Sequence, residues 1–158
     1  MMTNIAENIQ AVRERMAQAA RKAGRDPREI LLVGASKMNG ADACRAAIAA
    51  GIDALGENRV QEMTGKLEQN AYDGAPLHFI GHLQRNKVRQ VVGKVSLIQS
   101  VGSLPLLEVN VGGEESKSGF APDELFQAAE AARAFSHVRV RGLMTIPPIQ
   151  QAEHGNFP

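Results

Sequence analysis

Three short apolar segments each run into a residue that can do chemistry. Leu31-Leu32-Val33-Gly34-Ala35-Ser36 stays uncharged up to Lys37, Ala54-Leu55-Gly56 leads into Glu57 and Asn58, and Phe79-Ile80-Gly81 leads into His82. Runs of this kind suit strands buried on both faces of a parallel sheet. Ligands of such sheets sit outside the carboxyl ends of the strands. A lysine held there with little water loses part of its preference for the charged form, and its neutral amine can form a Schiff base with an aldehyde. The plainer alternative is a Lys37 that opens a surface loop and reaches to water, and the apolar run alone favours it because lysine is mostly exposed.

The other candidates also have two readings. Asn58 carries a donor and an acceptor that could fix the polar edge of a cofactor, but turn and cap chemistry competes for it. Glu57 and Arg59 could form a structural ion pair. His82 could serve as a general acid-base or pocket-lining group. His78 and His82 on one strand would stand about 13 Å apart, too far for one ion, so a zinc site is disfavoured. Arg85, Lys87 and Arg89 read as a solvated helix face in preference to a phosphate site. The stretch from Val111 to Phe120 is glycine-rich, but no Gly stands directly before Lys117 as the nucleotide motif demands and no alternating glycines occur, so ATPase and dinucleotide readings are rejected. It suits a pocket rim. Met144 would approach the same rim, with a core methionine as the plainer reading.

These residues need elements to position them. Ile5, Ile9, Val12 and Met16 recur at helical spacing between Thr3 and Lys22, with Thr3 or Asn4 as cap. The pattern then predicts a strand ending at Lys37, a helix over 41–50 closed by Gly51, a strand over 53–58, a helix over 61–69, a strand over 77–82 and a helix over 85–92. Strands over 95–100 and 106–111, a helix over 122–135 and a strand over 138–146 follow. Strand and helix alternate, the signature of a parallel α/β fold. Only Val101 to Pro105 separate the fourth and fifth strands, too few for a parallel crossover. An antiparallel hairpin is one solution. The favoured one is a chain that lacks a segment there, because Gly102-Ser103-Leu104-Pro105 is a poor hairpin turn. Six strands cannot close an eight-stranded barrel, whose usual size is about 250 residues.

The chain has 158 residues, room for one domain with a core, and a net charge of +1 that gives no bulk attraction to nucleic acid or membrane. Cys44 is the only cysteine, which excludes an internal disulfide, fits a reducing compartment and reads as a buried inert thiol. No apolar run reaches membrane-spanning length and the N-terminus is not signal-like, so a cytoplasmic protein is expected. With one tyrosine and no tryptophan, stacking platforms for single-stranded nucleic acid are not expected, and an RNA-binding module using Arg85 to Arg89 carries little weight.

Taken together, GASK ending at Lys37, GENRVQE at 56–62, HFIGHLQRNKV at 78–88, GEESKSGF at 113–120 and RGLMTI at 141–146 resemble the pyridoxal-phosphate homeostasis protein family. The fold of that family is like the N-terminal barrel of alanine racemase. The resemblance implies an α/β TIM (β/α)8 barrel, incomplete in this chain, with residues 1–158 forming a single domain that binds pyridoxal 5'-phosphate (PLP). It implies that Lys37 carries the cofactor as a Schiff base and that Asn58, His82, Ser100 and Met144 lie around it. It also implies a cytoplasmic monomer that buffers PLP and affects vitamin B6 and amino-acid balance, with PLP-dependent apoenzymes as recipients. The family has a helix and more between the stretches SVGSL and LLEVNV, and two further strands past Pro147. Those strands carry the groups that cradle the phosphate and an arginine facing the pyridine nitrogen. The expectation is therefore a chain that lacks segments of a longer protein.

Two functions compete. A non-catalytic carrier needs only the lysine and a holder for the phosphate. A PLP-dependent racemase-type enzyme needs a base on each face of the cofactor, commonly a lysine and a tyrosine. The only tyrosine, Tyr72, falls in the polar stretch before the third strand, so the carrier is favoured and no catalytic residue is assigned.

Overall fold

The computed structural model describes residues 4–99, 102–103, 106–107, 124–136 and 139–142. The chain forms two compact units, one of residues 1–80 and 86–97, the other of residues 81–85 and 98–158.

The first unit opens with helix α1, Ile5–Lys22, capped by Asn4, whose side chain accepts from the Glu7 N–H at 3.3 Å. A left-handed Gly24 (φ 68°) and the Asp26-Pro27 turn end it, as its sequence requires. The apolar stripe is only partly covered: Ala20 is buried, Ile5, Ile9 and Met16 are half-buried, and Val12 is exposed. Helix α1 packs on α2, Ala41–Ala49, which closes with Gly51 at φ 82°. Asp53 ties the N-terminal end of the sheet together. One oxygen meets Arg13 of α1 at 2.9 Å and the other accepts the Leu32 N–H at 2.7 Å.

The strands are β1 (Val33–Ala35), β2 (Ala54–Glu57), β3 (Leu77–Phe79) and β4 (Leu97–Ile98), in the sheet order β1-β2-β3-β4. β1 pairs with β2 and β2 with β3, both parallel, with Ala35 opposite Gly56 and Glu57 opposite Phe79. Helices α3 (Val60–Leu67) and α4 (Val88–Val91) follow β2 and β3, so the expected alternation holds here. β2 and β3 are buried along their whole length, and Phe79, Met63 and Val91 are fully enclosed.

β1 departs from the expectation. It is only three residues long and its end is exposed, and Leu31, outside the strand, is 65% exposed. The reason is position: among the described residues β1 stands at the sheet edge, with a neighbour on one side only. An apolar run signals burial, but not how many strands flank it.

The centre of the sheet is packed tightly around Gly56. A Cβ added there would meet Ile80 Cδ1 and Cγ2 at 2.9 Å. Gly56→Ala is expected to destabilise the protein by about 1–3 kcal/mol through overpacking, measured as a drop in the urea midpoint without a change in slope. An unchanged midpoint would mean that Ile80 gives way freely.

In the second unit β5, Gly102–Ser103, pairs antiparallel with β6, Leu106–Leu107. This pairing falls inside the stretch read from the sequence as the join between the fourth and fifth strands. With only Leu104 and Pro105 between the pairs, the chain can return only antiparallel. Helix α5, Leu125–Arg133, buries Ala128 and Ala132 against Ile98 and Ala129. Residues 139–142, expected to begin a sixth strand, carry no regular structure, and the rest of that stretch lies outside the described residues.

Candidate functional site

Parallel pairing sets the carboxyl ends of β1 and β2 side by side, and Lys37 and Asn58 follow those ends. Lys37 lies in a turn and is exposed, so as placed it is a solvent-facing amine at the strand ends rather than one stripped of water. Asn58 is half-buried, and its side-chain oxygen is shielded from water with no hydrogen-bond partner. It does not cap α3, whose cap position is Arg59 and lacks a side-chain bond. The cap reading of Asn58 is therefore replaced by an unsatisfied acceptor at the strand end, the kind of atom a ligand satisfies.

His82 comes three residues after β3, in the second unit, and is exposed. Ser100 and Met144 lie outside the described residues. His78 is buried within β3, and burial lowers its imidazole pKa. Among the described residues no group of three or more His, Cys, Asp or Glu side chains could hold a metal ion. Cys44 is buried, and burial pushes its thiol pKa up, which fits an inert core thiol.

Beneath Lys37 lies a buried polar cluster that single residues did not suggest. Glu57 is completely enclosed. Its Oε1 accepts from Lys66 Nζ at 2.6 Å, from Ser36 Oγ at 2.7 Å and from the Tyr72 hydroxyl at 3.0 Å. Lys66 also donates to Ser36 O at 2.8 Å and to Glu62 Oε1 at 2.9 Å. Glu62 Oε1 in turn accepts the Met38 N–H. Glu57 therefore pairs with Lys66, and the expected partner Arg59 is exposed.

Burial works against the ammonium of Lys66, but hydrogen bonds to Glu57 and Glu62 outweigh it and raise its pKa above the ordinary lysine value. The same bond from Lys66 holds the Glu62 carboxyl below its usual range. Tyr72, expected in the polar loop before the third strand, is buried, and desolvation together with the charge of Glu57 pushes its phenol pKa up. Two sequence signals pointed this way. Glu57 is the one charged residue of a strand that is otherwise apolar, and Glu62 and Lys66 have the favourable i, i+4 order on a helix.

Residues 3–156 match the family described as alanine racemase, N-terminal domain. The pyridoxal phosphate homeostasis protein of Pseudomonas aeruginosa is 41% identical, over 99% of this chain and 77% of its own length. The chain belongs to this family. The homeostasis protein of Aquifex aeolicus is 39% identical over 92% of the chain and 72% of its own length. Among solved structures, PipY of Synechococcus elongatus PCC7942 with PLP bound superposes with a TM-score of 0.76 at 30% identity. It is covered over 74% of its length and covers 95% of this chain. A protein of Bifidobacterium adolescentis described as unknown gives a TM-score of 0.83 at 34% identity, over 90% of this chain and 69% of its own.

The family fold is that of the alanine racemase N-terminal domain, α/β with a parallel sheet, and the parallel strands β1, β2 and β3 with their intervening helices are of that class. The Pseudomonas alignment spans 177 positions, more than the 158 residues here, so that relative carries residues within the matched span that this chain does not have. No helix among the described residues is long and apolar enough to cross a membrane.

Proposed function

We propose that this chain is a non-catalytic PLP-binding protein of intracellular PLP and amino-acid homeostasis, acting as a single cytoplasmic, monomeric domain. Lys37 holds the cofactor as a Schiff base on its aldehyde carbon, the one electrophile the cofactor supplies. Asn58 offers its shielded oxygen to a donor on the cofactor, and His82, Ser100 and Met144 are the further cofactor contacts that the family resemblance implies. PLP-dependent apoenzymes are the recipients.

The observation that carries the reading is the pairing of an exposed lysine with an unsatisfied, water-shielded amide oxygen at adjacent carboxyl ends of a parallel sheet. That is where ligands of such sheets bind. The relatives named for PLP homeostasis and the PLP-bound PipY support the choice of ligand.

Tyr72 supports the carrier over the racemase. It is the only tyrosine, its hydroxyl is donated to Glu57, and it is buried beneath the strand ends. A second base must be within reach of the reacting proton.

The test is intact mass after incubation with stoichiometric PLP, with and without borohydride. Reduction is expected to fix a single covalent adduct on the folded protein. A folded protein that gains no mass would end the reading.

A further inference from the structure

We propose that Glu62 is a positioning residue that fixes the backbone after Lys37, while Lys66 and Glu57 fix the residue before it, and so presents the Lys37 amine for covalent loading. The inference rests on the reading of Lys37 as the PLP-bearing lysine.

The residue before Lys37 is held at every polar atom. The Ser36 N–H donates to Gly56 O at 2.9 Å, its hydroxyl donates to Glu57, and its carbonyl accepts from Lys66 at 2.8 Å. The residue after Lys37 is Met38, in the left-handed region at φ 63°. That conformation is uncommon for a methionine and persists only where the surroundings hold it. Its side chain is 88% exposed, so packing does not hold it.

Two bonds hold it: Glu62 accepts the Met38 N–H, and the Asn39 N–H closes the turn on Ser36 O at 3.1 Å. Asn39 adds a bond from its amide nitrogen to Lys37 O at 3.1 Å. Glu62 is itself fixed by Lys66, and Lys66 by the enclosed Glu57. One ammonium therefore reaches both flanks of Lys37, the Ser36 side directly and the Met38 side through a carboxylate. A carboxylate bond to a backbone N–H is charge-assisted and stronger than a neutral one. A turn pinned in this way spends little entropy in orienting the amine toward an aldehyde.

The test combines amide exchange of the cofactor-free protein with the rate of PLP loading, in wild type, Glu62→Ala and Glu62→Gln. In wild type the Met38 amide, although in an exposed turn, is expected to be protected. Glu62→Ala removes the acceptor at a partly exposed helical position where alanine is favourable, so the fold is retained. It is expected to speed Met38 exchange and slow loading, each by about tenfold, with the adduct still on Lys37. Glu62→Gln keeps the oxygen and is expected to restore most of both.

A role confined to stability would lower the melting temperature and leave both rates alone. The proposal is overturned if the wild-type Met38 amide is unprotected, or if Glu62→Ala loads within about twofold of wild type. If wild type itself takes up no PLP while Met38 is protected, the reading of Lys37 fails and the pinned turn stands.

Discussion

Lys37→Ala is expected to abolish the borohydride-fixed PLP adduct while leaving the fold intact. The change deletes an exposed side chain in a turn, away from the core, so its cost in stability is small. The effect on loading is large because, among the described residues, the other lysine that reaches these strand ends is already engaged. Lys66 is the lysine whose chain reaches the same strand ends, through its bond to Ser36 O, and it is only 6% exposed. Its ammonium is engaged by Ser36 O, Glu57 and Glu62, and those carboxylates favour the charged, non-nucleophilic form. Two lysines close in space are thus split by environment, one free to react and one locked as a cation. Peptide mapping of the reduced adduct is the check. An adduct of equal yield on another residue in Lys37→Ala would overturn the assignment.

Lys66→Met is expected to cost about 3–5 kcal/mol of folding stability, the largest loss anticipated for a single change here. The methylene stem keeps its packing, so the loss is electrostatic. Glu57 would remain enclosed as a carboxylate with two neutral donors, Ser36 and Tyr72, and its Oε2 already has no partner. Leaving a charge buried and uncompensated is much worse than never having buried the pair. Adding Glu57→Gln to Lys66→Met should therefore recover a large part of the loss, because a neutral amide costs less to enclose. Urea unfolding of the two single variants and the double variant measures this coupling. A loss under about 1 kcal/mol in Lys66→Met would mean that water reaches Glu57, and that the cluster is not an ion pair holding the strand ends.

Much of this was legible in the residue order. The spacing of Ile5, Ile9 and Met16 marked α1, Gly51 marked the end of α2, and the apolar runs before Glu57 and His82 marked β2 and β3. These signals are local: a period, a cap or a left-handed glycine acts within a few residues. The motifs around Lys37, Asn58 and His82 also identified the family. Other features could not be read in this way. Leu31 sits in an apolar run yet is exposed, because burial depends on the strand beside it and not on the run itself. Gly102 to Leu107 makes a hairpin that its residues advertise poorly.

By itself, the sequence determined the order of elements in the first unit, the parallel α/β class, the family and the lysine at the end of the first strand. Tertiary structure alone decided the partner of Glu57, the burial of Tyr72, the unsatisfied oxygen of Asn58 and the pinning of Met38 by Glu62. The physical reason is range. Secondary structure follows from interactions between near neighbours, whereas a buried charge is satisfied by whichever groups the sheet register brings to it. Ser36 and Glu57, 21 residues apart, meet because β1 and β2 pair in parallel with Ala35 opposite Gly56.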